Sequence, residues 1–179
     1  MSKYRKQFLN ILKPIWKERL PDWQPGLFSP SFYTKPEATF SWTRFAPDSP
    51  TRLHACIEFS SKEAGTFTCD IFIMDAANQA DQKLSHRWDD DIPSRKLGVY
   101  RIGQFIFGKD VWWHLKDEVA ESNKYWESVG ASGLACLERQ KYGWYAASYD
   151  VPLKQIMQEA AEDFTNQFTT RVIPKLFSE

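Results

Sequence analysis

Apolar residues recur at three- and four-residue steps at both ends of the chain, which is the spacing of one face of a helix. Near the start, this pattern runs from about Lys3 to Leu20, and Pro14 within it predicts a bend because proline lacks a backbone donor. Near the end, the stripe runs from Leu153 to Val172. We expect Asp150 to cap this last helix and Pro174 to end or kink it.

Between these helices, apolar and polar residues alternate with the period of two that is typical of strands in an antiparallel sheet with one face on a core. The alternation occurs in six segments: 39–43, 53–60, 67–74, 99–107, 111–115 and 144–149. Directly opposed residues share a face of the sheet, so the central hairpin is expected to pair Phe59 with Phe67 and Ile57 with Cys69. This register places Cys56 and Cys69 on opposite faces, which disfavours a disulfide between them.

The order of the elements is helix, strands, small helix, strand and long helix, which is typical of an α+β domain. The length of 179 residues fits one domain, spanning 1–179. We therefore predict a two-layer α+β fold, with an antiparallel sheet of five to six strands and the N- and C-terminal helices packed on one face. Segments 21–36 and 75–96 are expected to be loops, and segment 116–129 a weakly amphipathic helix.

The charge balance and the cysteines indicate which binding partners and which cellular compartment to expect. The 23 basic and 23 acidic residues give zero net charge, which removes the electrostatic argument for a nucleic-acid or anionic-membrane partner. No segment approaches the roughly 20 apolar residues of a membrane span. The three cysteines lack a C-x-x-C spacing and fit reduced thiols. We expect a cytoplasmic protein that binds neither nucleic acid nor membrane.

The sequence contains no P-loop, dinucleotide-binding or nucleophile-elbow motif, so we expect no cofactor and favour a protein without enzyme activity. The residues with the best metal-ligand chemistry are His86 and the acidic run Asp89–Asp91, although three adjacent aspartates do not converge and a solvated acidic loop explains them more simply. Glu58 and Asp70 share the outward face of the predicted hairpin, where a solvated sheet face is the simpler interpretation. The alternative function is a metal-dependent hydrolase or nuclease that uses Glu58, Asp70 and the His86/Asp89 cluster.

Aromatic residues are in excess, with 13 Phe, 8 Trp and 7 Tyr. Trp112 and Trp113 are adjacent on a predicted strand, so they point to opposite faces and cannot share one core. The second indole is then buried under the helix at 116–129 or is left for a partner, and Trp and Tyr are enriched in interface hot spots. We therefore predict a binding surface for one protein partner, or for a second copy in a homodimer, formed by Trp88, Asp89, Asp90, Asp91, Trp112 and Trp113.

The segment from Gly98 to Leu115 resembles a bacterial family of small α+β domains of unknown function that carry a G-x-Y-R-[IL]-G stretch followed by D-x-W-W. The similarity extends in layout to Leu12-Lys13-Pro14 and to the closing V-I-P-x-L at 172–176. This resemblance implies a bacterial, cytosolic domain and brings no catalytic residue. Some domains of this size are similar to the immunity proteins that neutralise secreted toxins by binding them, so a toxin-neutralising protein is one form of the expected binder.

Overall fold

The computed structural model describes residues 3–28, 37–46, 49–60, 65–75, 98–130 and 138–177. The helices are α1 (Lys3–Arg19), α2 (Ile102–Ile106), α3 (Glu118–Ser128), α4 (Leu153–Gln167) and α5 (Ile173–Phe177), and a π-helical turn (Phe168–Val172) joins α4 to α5. The strands are β1 (Gln24–Phe28), β2 (Glu37–Ala46), β3 (Ser49–Phe59), β4 (Thr66–Asp75), β5 (Gly98–Arg101), β6 (Trp113–His114) and β7 (Trp144–Tyr145).

The strands form one sheet in the order β1-β2-β3-β4-β6-β7, and β5 pairs with β4 beside β6. The β3–β4 hairpin opposes Phe59 to Phe67 and Ile57 to Cys69, so the predicted register is confirmed. Neighbouring strands are antiparallel, except that β6 and β7 are parallel. With helices from both termini against the sheet, the predicted two-layer α+β class is also confirmed.

The main core lies between one face of this sheet and the helices α1 and α4, which pack against each other. Much of the aromatic excess is here. Trp16 of α1 stacks on Phe164 of α4 with ring centres 5.8 Å apart, and Phe67 of β4 stacks on Trp113 of β6 at 5.5 Å. Edge-to-face contact between Trp113 and Phe164 joins the two stacks, so the aromatic rings connect both layers of the fold.

The opposite face of the central hairpin is not the solvated surface that the alternation suggested. Cys56, Phe72, Met74 and Val99 form a second buried apolar cluster there. Asp70, on the same face, has no exposed surface. The reason is that period-two alternation sorts residues between two faces, but it does not show whether the second face is covered.

Two cysteines that the structure describes, Cys56 and Cys69, are buried free thiols, as the register predicted. Burial raises the pKa of the Cys69 thiol well above its usual value, because a thiolate would have to be desolvated. Cys136 lies outside the described residues.

Several local predictions were wrong. Residues 102–106 form the helix α2 instead of continuing a strand; all five are buried, so the spacing of apolar residues does not distinguish a helix from a strand there. Residues 24–28 form the edge strand β1 within the segment predicted as a loop. The strands predicted at 111–115 and 144–149 are limited to Trp113–His114 and Trp144–Tyr145.

Prolines lie within or next to the helices at both ends of the chain. The helix α1 continues through Pro14, which lies with Asn10 on the exposed side, where water can satisfy the carbonyl that Pro14 leaves without a donor. Pro152, not Asp150, occupies the N-cap position of α4. Near the C-terminus, the amide of Ile173 donates to the carbonyl of Phe168, five residues earlier instead of four. The helix therefore has a π-helical turn just before Pro174 and does not end there.

Candidate functional site

The adjacent tryptophans at 112 and 113 have different environments. Trp113 is 1% exposed, and its indole Nε1 donates to Asp163 Oδ2 at 2.8 Å. No partner can contact this ring in the folded protein, which corrects its assignment to a binding surface. Trp112 lies on the other side of the strand and is partly exposed, so it is the member of the pair that remains available.

Arg101 forms the charged centre of the face that carries Trp112. It stands directly opposite Asp70 in the pairing of β4 with β5, and its Nε lies 3.2 Å from Asp70 Oδ1. One of its terminal nitrogens also donates to Glu58 Oε2 at 2.5 Å. The Asp70 side chain is fully buried, whereas the Arg101 side chain is 14% and that of Glu58 28% exposed. The guanidinium therefore neutralises a carboxylate that has no access to water.

Asp110 and Trp112 complete this group. The guanidinium carbon of Arg101 lies 5.4 Å from the centre of the Trp112 ring, in cation–π geometry. Asp110 accepts a hydrogen bond from the Trp112 Nε1 at 2.9 Å, and its other oxygen lies 4.0 Å from Arg101 Nε. We refer to Glu58, Asp70, Arg101, Asp110 and Trp112 as the Arg101 cluster.

Burial alone would lower the pKa of the Arg101 guanidinium, but the charges of Asp70 and Glu58 outweigh burial and raise it. The side chain is thus a permanent cation and does not exchange protons near neutral pH. The cluster can orient charged or aromatic groups, but Arg101 is unsuited to general acid–base chemistry.

The local backbone explains how the cluster is built. The Gln104 side chain accepts a hydrogen bond from the Arg101 backbone amide at 2.9 Å, which fixes the start of α2. Gly103 then packs against the chain that returns toward Trp112: a Cβ there would lie 1.9 Å from the Lys109 carbonyl oxygen. Thr68 donates to the Val111 carbonyl at 2.8 Å and holds the returning segment on β4. The G-x-Y-R-I-G and D-x-W-W stretches are thus parts of one packed unit.

The metal-dependent alternative required Glu58 and Asp70 to meet the His86/Asp89 cluster. Glu58 and Asp70 do lie together, but the cation between them is Arg101. In the described part of the chain, no group of three or more His, Cys, Asp or Glu side chains could hold a metal ion. His86, Trp88 and Asp89–Asp91 lie outside the described residues, so their roles stay predictions.

The helix α3 carries two exposed aromatic residues. Tyr125 is 60% and Trp126 43% exposed, with ring centres 5.3 Å apart, and Val129 just beyond the helix is 54% exposed. The rings of Tyr125 and Trp126 are in edge-to-face contact, and Val129 lies three and four positions further along, within reach of both. We refer to these three residues as the α3 surface. Their exposure does not follow from the sequence, because the weak amphipathicity of α3 does not reveal which side of the helix is covered.

A further set of side chains holds the segment after 138 in place. His114 stacks on Tyr145 with ring centres 4.4 Å apart and an angle of 4° between the planes. Arg139 lies over the rings of Tyr145 and Tyr149, at 5.2 and 5.8 Å, and forms an ion pair with Asp117. Tyr149 donates to the His114 carbonyl at 2.8 Å. These contacts fix the loop that carries β7 and the residue that precedes α3.

The chain matches no known family model, and searches of curated proteins and of solved structures found no similar chain. Among the helices that the structure describes, none is long and apolar enough to cross a membrane.

Proposed function

We propose that this protein is a protein-binding domain whose partner contacts the α3 surface. The observation that carries the proposal is that α3 buries none of its residues while it exposes two adjacent aromatic rings. Contiguous exposed apolar patches mark interaction sites, whereas apolar residues scattered singly over a surface are ordinary. Tyrosine and tryptophan also contribute large contact area at a low entropy cost, which is why they dominate interface hot spots.

The start of α3 is well anchored, which supports a preformed binding surface. Asp117 accepts a hydrogen bond from the Ala120 amide at 3.0 Å and so caps the helix. Lys116 bonds to Glu121 at 3.1 Å across the first turn, and Arg139 pairs with Asp117 from the neighbouring loop. A partner would therefore meet a helix that is already ordered, and less entropy is lost on binding.

Trp112 is the second expected contact, because its ring is partly exposed. The Trp112 Nε1 already donates to Asp110, and Arg101 already lies over the ring. Trp112 therefore offers a partner apolar surface and not a hydrogen-bond donor. The predicted contribution of Trp88 and Asp89–Asp91 stays part of the proposal. A single partner, such as a secreted toxin that this protein would neutralise, fits a surface of this type.

The test is affinity capture with the immobilised protein and its variants. We expect wild-type protein to retain one stoichiometric partner and the Tyr125→Ala/Trp126→Ala variant to lose it, because both hot-spot rings are removed. Lys124→Ala is the matched control on the same helix, and it should capture the partner normally. Circular dichroism and urea unfolding verify that all variants fold, which we expect because no core residue is changed.

Two outcomes would count against the proposal. Equal capture by wild type and the double variant would exclude the α3 surface, and Trp112→Ala would then show whether the other contact is used. Sedimentation at several concentrations provides the second outcome: a mass that rises to twice that of the chain, and falls back in the double variant, would assign the surface to a homodimer.

A further inference from the structure

A second surface, distinct from α3, combines an exposed aromatic ring with two lysines. Phe107 is 49% exposed, and its ring centre lies 5.6 Å from that of Tyr142. The Lys109 ammonium lies 4.7 Å and the Lys141 ammonium 5.7 Å from the centre of the same Tyr142 ring. We refer to Phe107, Lys109, Lys141 and Tyr142 as the Tyr142 platform.

The backbone under this platform is held in place from both sides. On one side, the close approach of Gly103 to the Lys109 carbonyl fixes the turn, and the Phe107 amide donates to the Gly103 carbonyl at 2.8 Å. On the other side, the Gly143 amide donates to the Gln140 carbonyl at 3.1 Å. The Trp144 amide then donates to the Trp112 carbonyl at 2.9 Å and joins the two segments. The platform is therefore preorganised.

Among the described residues, no acid balances the charges of the platform. Neither Lys109 nor Lys141 forms an ion pair with a carboxylate of the described residues. Both side chains are exposed, and their ammonium groups lie near the same ring. The carboxylates of a bound segment can therefore pair with each lysine without competing with an acid of the described residues.

We propose that the Tyr142 platform binds an acidic segment of a protein, with an apolar side chain of that segment on Phe107 and its carboxylates on Lys109 and Lys141. Charge complementarity favours a carboxylate-bearing peptide over a nucleic acid. Nucleic-acid affinity comes from many phosphate contacts, and two lysines on a protein of zero net charge neutralise too few of them. This inference does not depend on the α3 surface.

The test uses the full-length, ¹⁵N-labelled chain and two acetylated pentapeptides. The acidic probe is Asp-Glu-Leu-Glu-Asp, and the neutral analogue is Asn-Gln-Leu-Gln-Asn. We expect the acidic probe to cause saturable shifts at the amides of 107–110 and 140–144, with a Kd of about 1 mM or tighter. The Lys109→Glu/Lys141→Glu variant should bind about tenfold more weakly, since the ion pairs become repulsive.

Lys13→Glu/Lys154→Glu is the matched control, because it makes the same change of net charge at exposed lysines on α1 and α4. It should bind the acidic probe like the wild type, whereas Phe107→Ala should bind it more weakly. The proposal is overturned if the neutral analogue binds equally well, if no shift saturates, or if the control loses as much affinity as the platform variant. Saturable binding of an oligothymidine without binding of the acidic probe would also overturn it and indicate a nucleic-acid surface. The α3 variant Tyr125→Ala/Trp126→Ala should leave the peptide titration unchanged, so failure here and failure of partner capture are separable.

Discussion

Arg101 and Asp70 face each other across β4 and β5, and Arg101 Nε lies 3.2 Å from a carboxylate that has no exposed surface. A buried carboxylate is costly unless an opposite charge compensates it, and Arg101 supplies that charge. Arg101 also pairs with Glu58 and covers Trp112, so one side chain joins three separate segments of the chain. The recognisable G-x-Y-R stretch therefore has a structural role: it delivers the guanidinium to the second face of the sheet.

Replacing Arg101 by Met should destabilise the fold by about 3–5 kcal/mol, because the Asp70 carboxylate would be left buried without its cation. Urea unfolding measures this change. The additional substitution Asp70→Asn should restore part of the stability, since the uncompensated charge is then removed. Lys116→Met, which removes the ion pair with the exposed Glu121, is the control and should cost less than about 1 kcal/mol. A loss for Arg101→Met as small as that of the control would contradict the assigned role.

Gly103→Ala should be among the most damaging small substitutions. Its Cβ would lie 1.9 Å from the Lys109 carbonyl oxygen and 2.8 Å from the Val111 nitrogen, so the backbone itself must move. We expect a loss of at least about 3 kcal/mol. Gly108→Ala is the comparison: that residue has a φ of +68° but open space around it, so only about 1 kcal/mol is expected. Thermal unfolding of both variants checks the order, and the reverse order would refute the close approach.

The two tryptophans of the pair should respond differently to truncation. Trp113→Ala removes a buried ring that contacts Phe67 and Phe164, and we expect a loss of about 3–5 kcal/mol. Trp112→Ala removes a partly exposed ring and should cost about half of that or less. Denaturant titrations followed by far-UV circular dichroism measure both values. Equal losses would show that Trp112 belongs to the core as well.

His54 should make the stability depend on pH. Burial, with the nearby charge of Arg52, lowers its pKa from 6.5 to about 4 in the folded protein. The unfolded chain therefore binds a proton between pH 6.5 and 4 that the folded protein does not bind. The contribution of the neutral, buried His54 to the free energy of unfolding is fully present above pH 6.5. It falls by about 1.4 kcal/mol for each pH unit between pH 6.5 and pH 4, about 3 kcal/mol in total.

The measurement compares urea unfolding of the wild type and of His54→Gln at pH 7, 5.5 and 4.5. Carboxylates titrate in the same range, so the difference between the two proteins isolates the contribution of His54. We expect the wild type to lose more stability than the variant as the pH falls. Parallel pH profiles for the two proteins would exclude the buried neutral histidine.

The features that depend on local order could be predicted from the sequence alone. Periods of 3.6 and 2 located α1, α4 and the β3–β4 hairpin, and the rule that opposed residues share a face gave the pairing of Phe59 with Phe67. The backbone geometry of a helix or strand repeats with a fixed period, so a side that is buried appears in the sequence as apolar residues at that period. The same geometry required Trp112 and Trp113 to point in opposite directions.

Long-range contacts determine which of these tryptophans is buried, and they cover the second face of the hairpin as well. Arg101 and Glu58 are 43 residues apart, so no local spacing could have shown that they form an ion pair. The exposure of Tyr125 and Trp126 on α3 is likewise a result of how the layers pack. Local patterns indicate which residues share a side of a helix or strand. Whether that side is buried, and which residues form its ion pairs, depends on contacts with segments that are distant in the sequence.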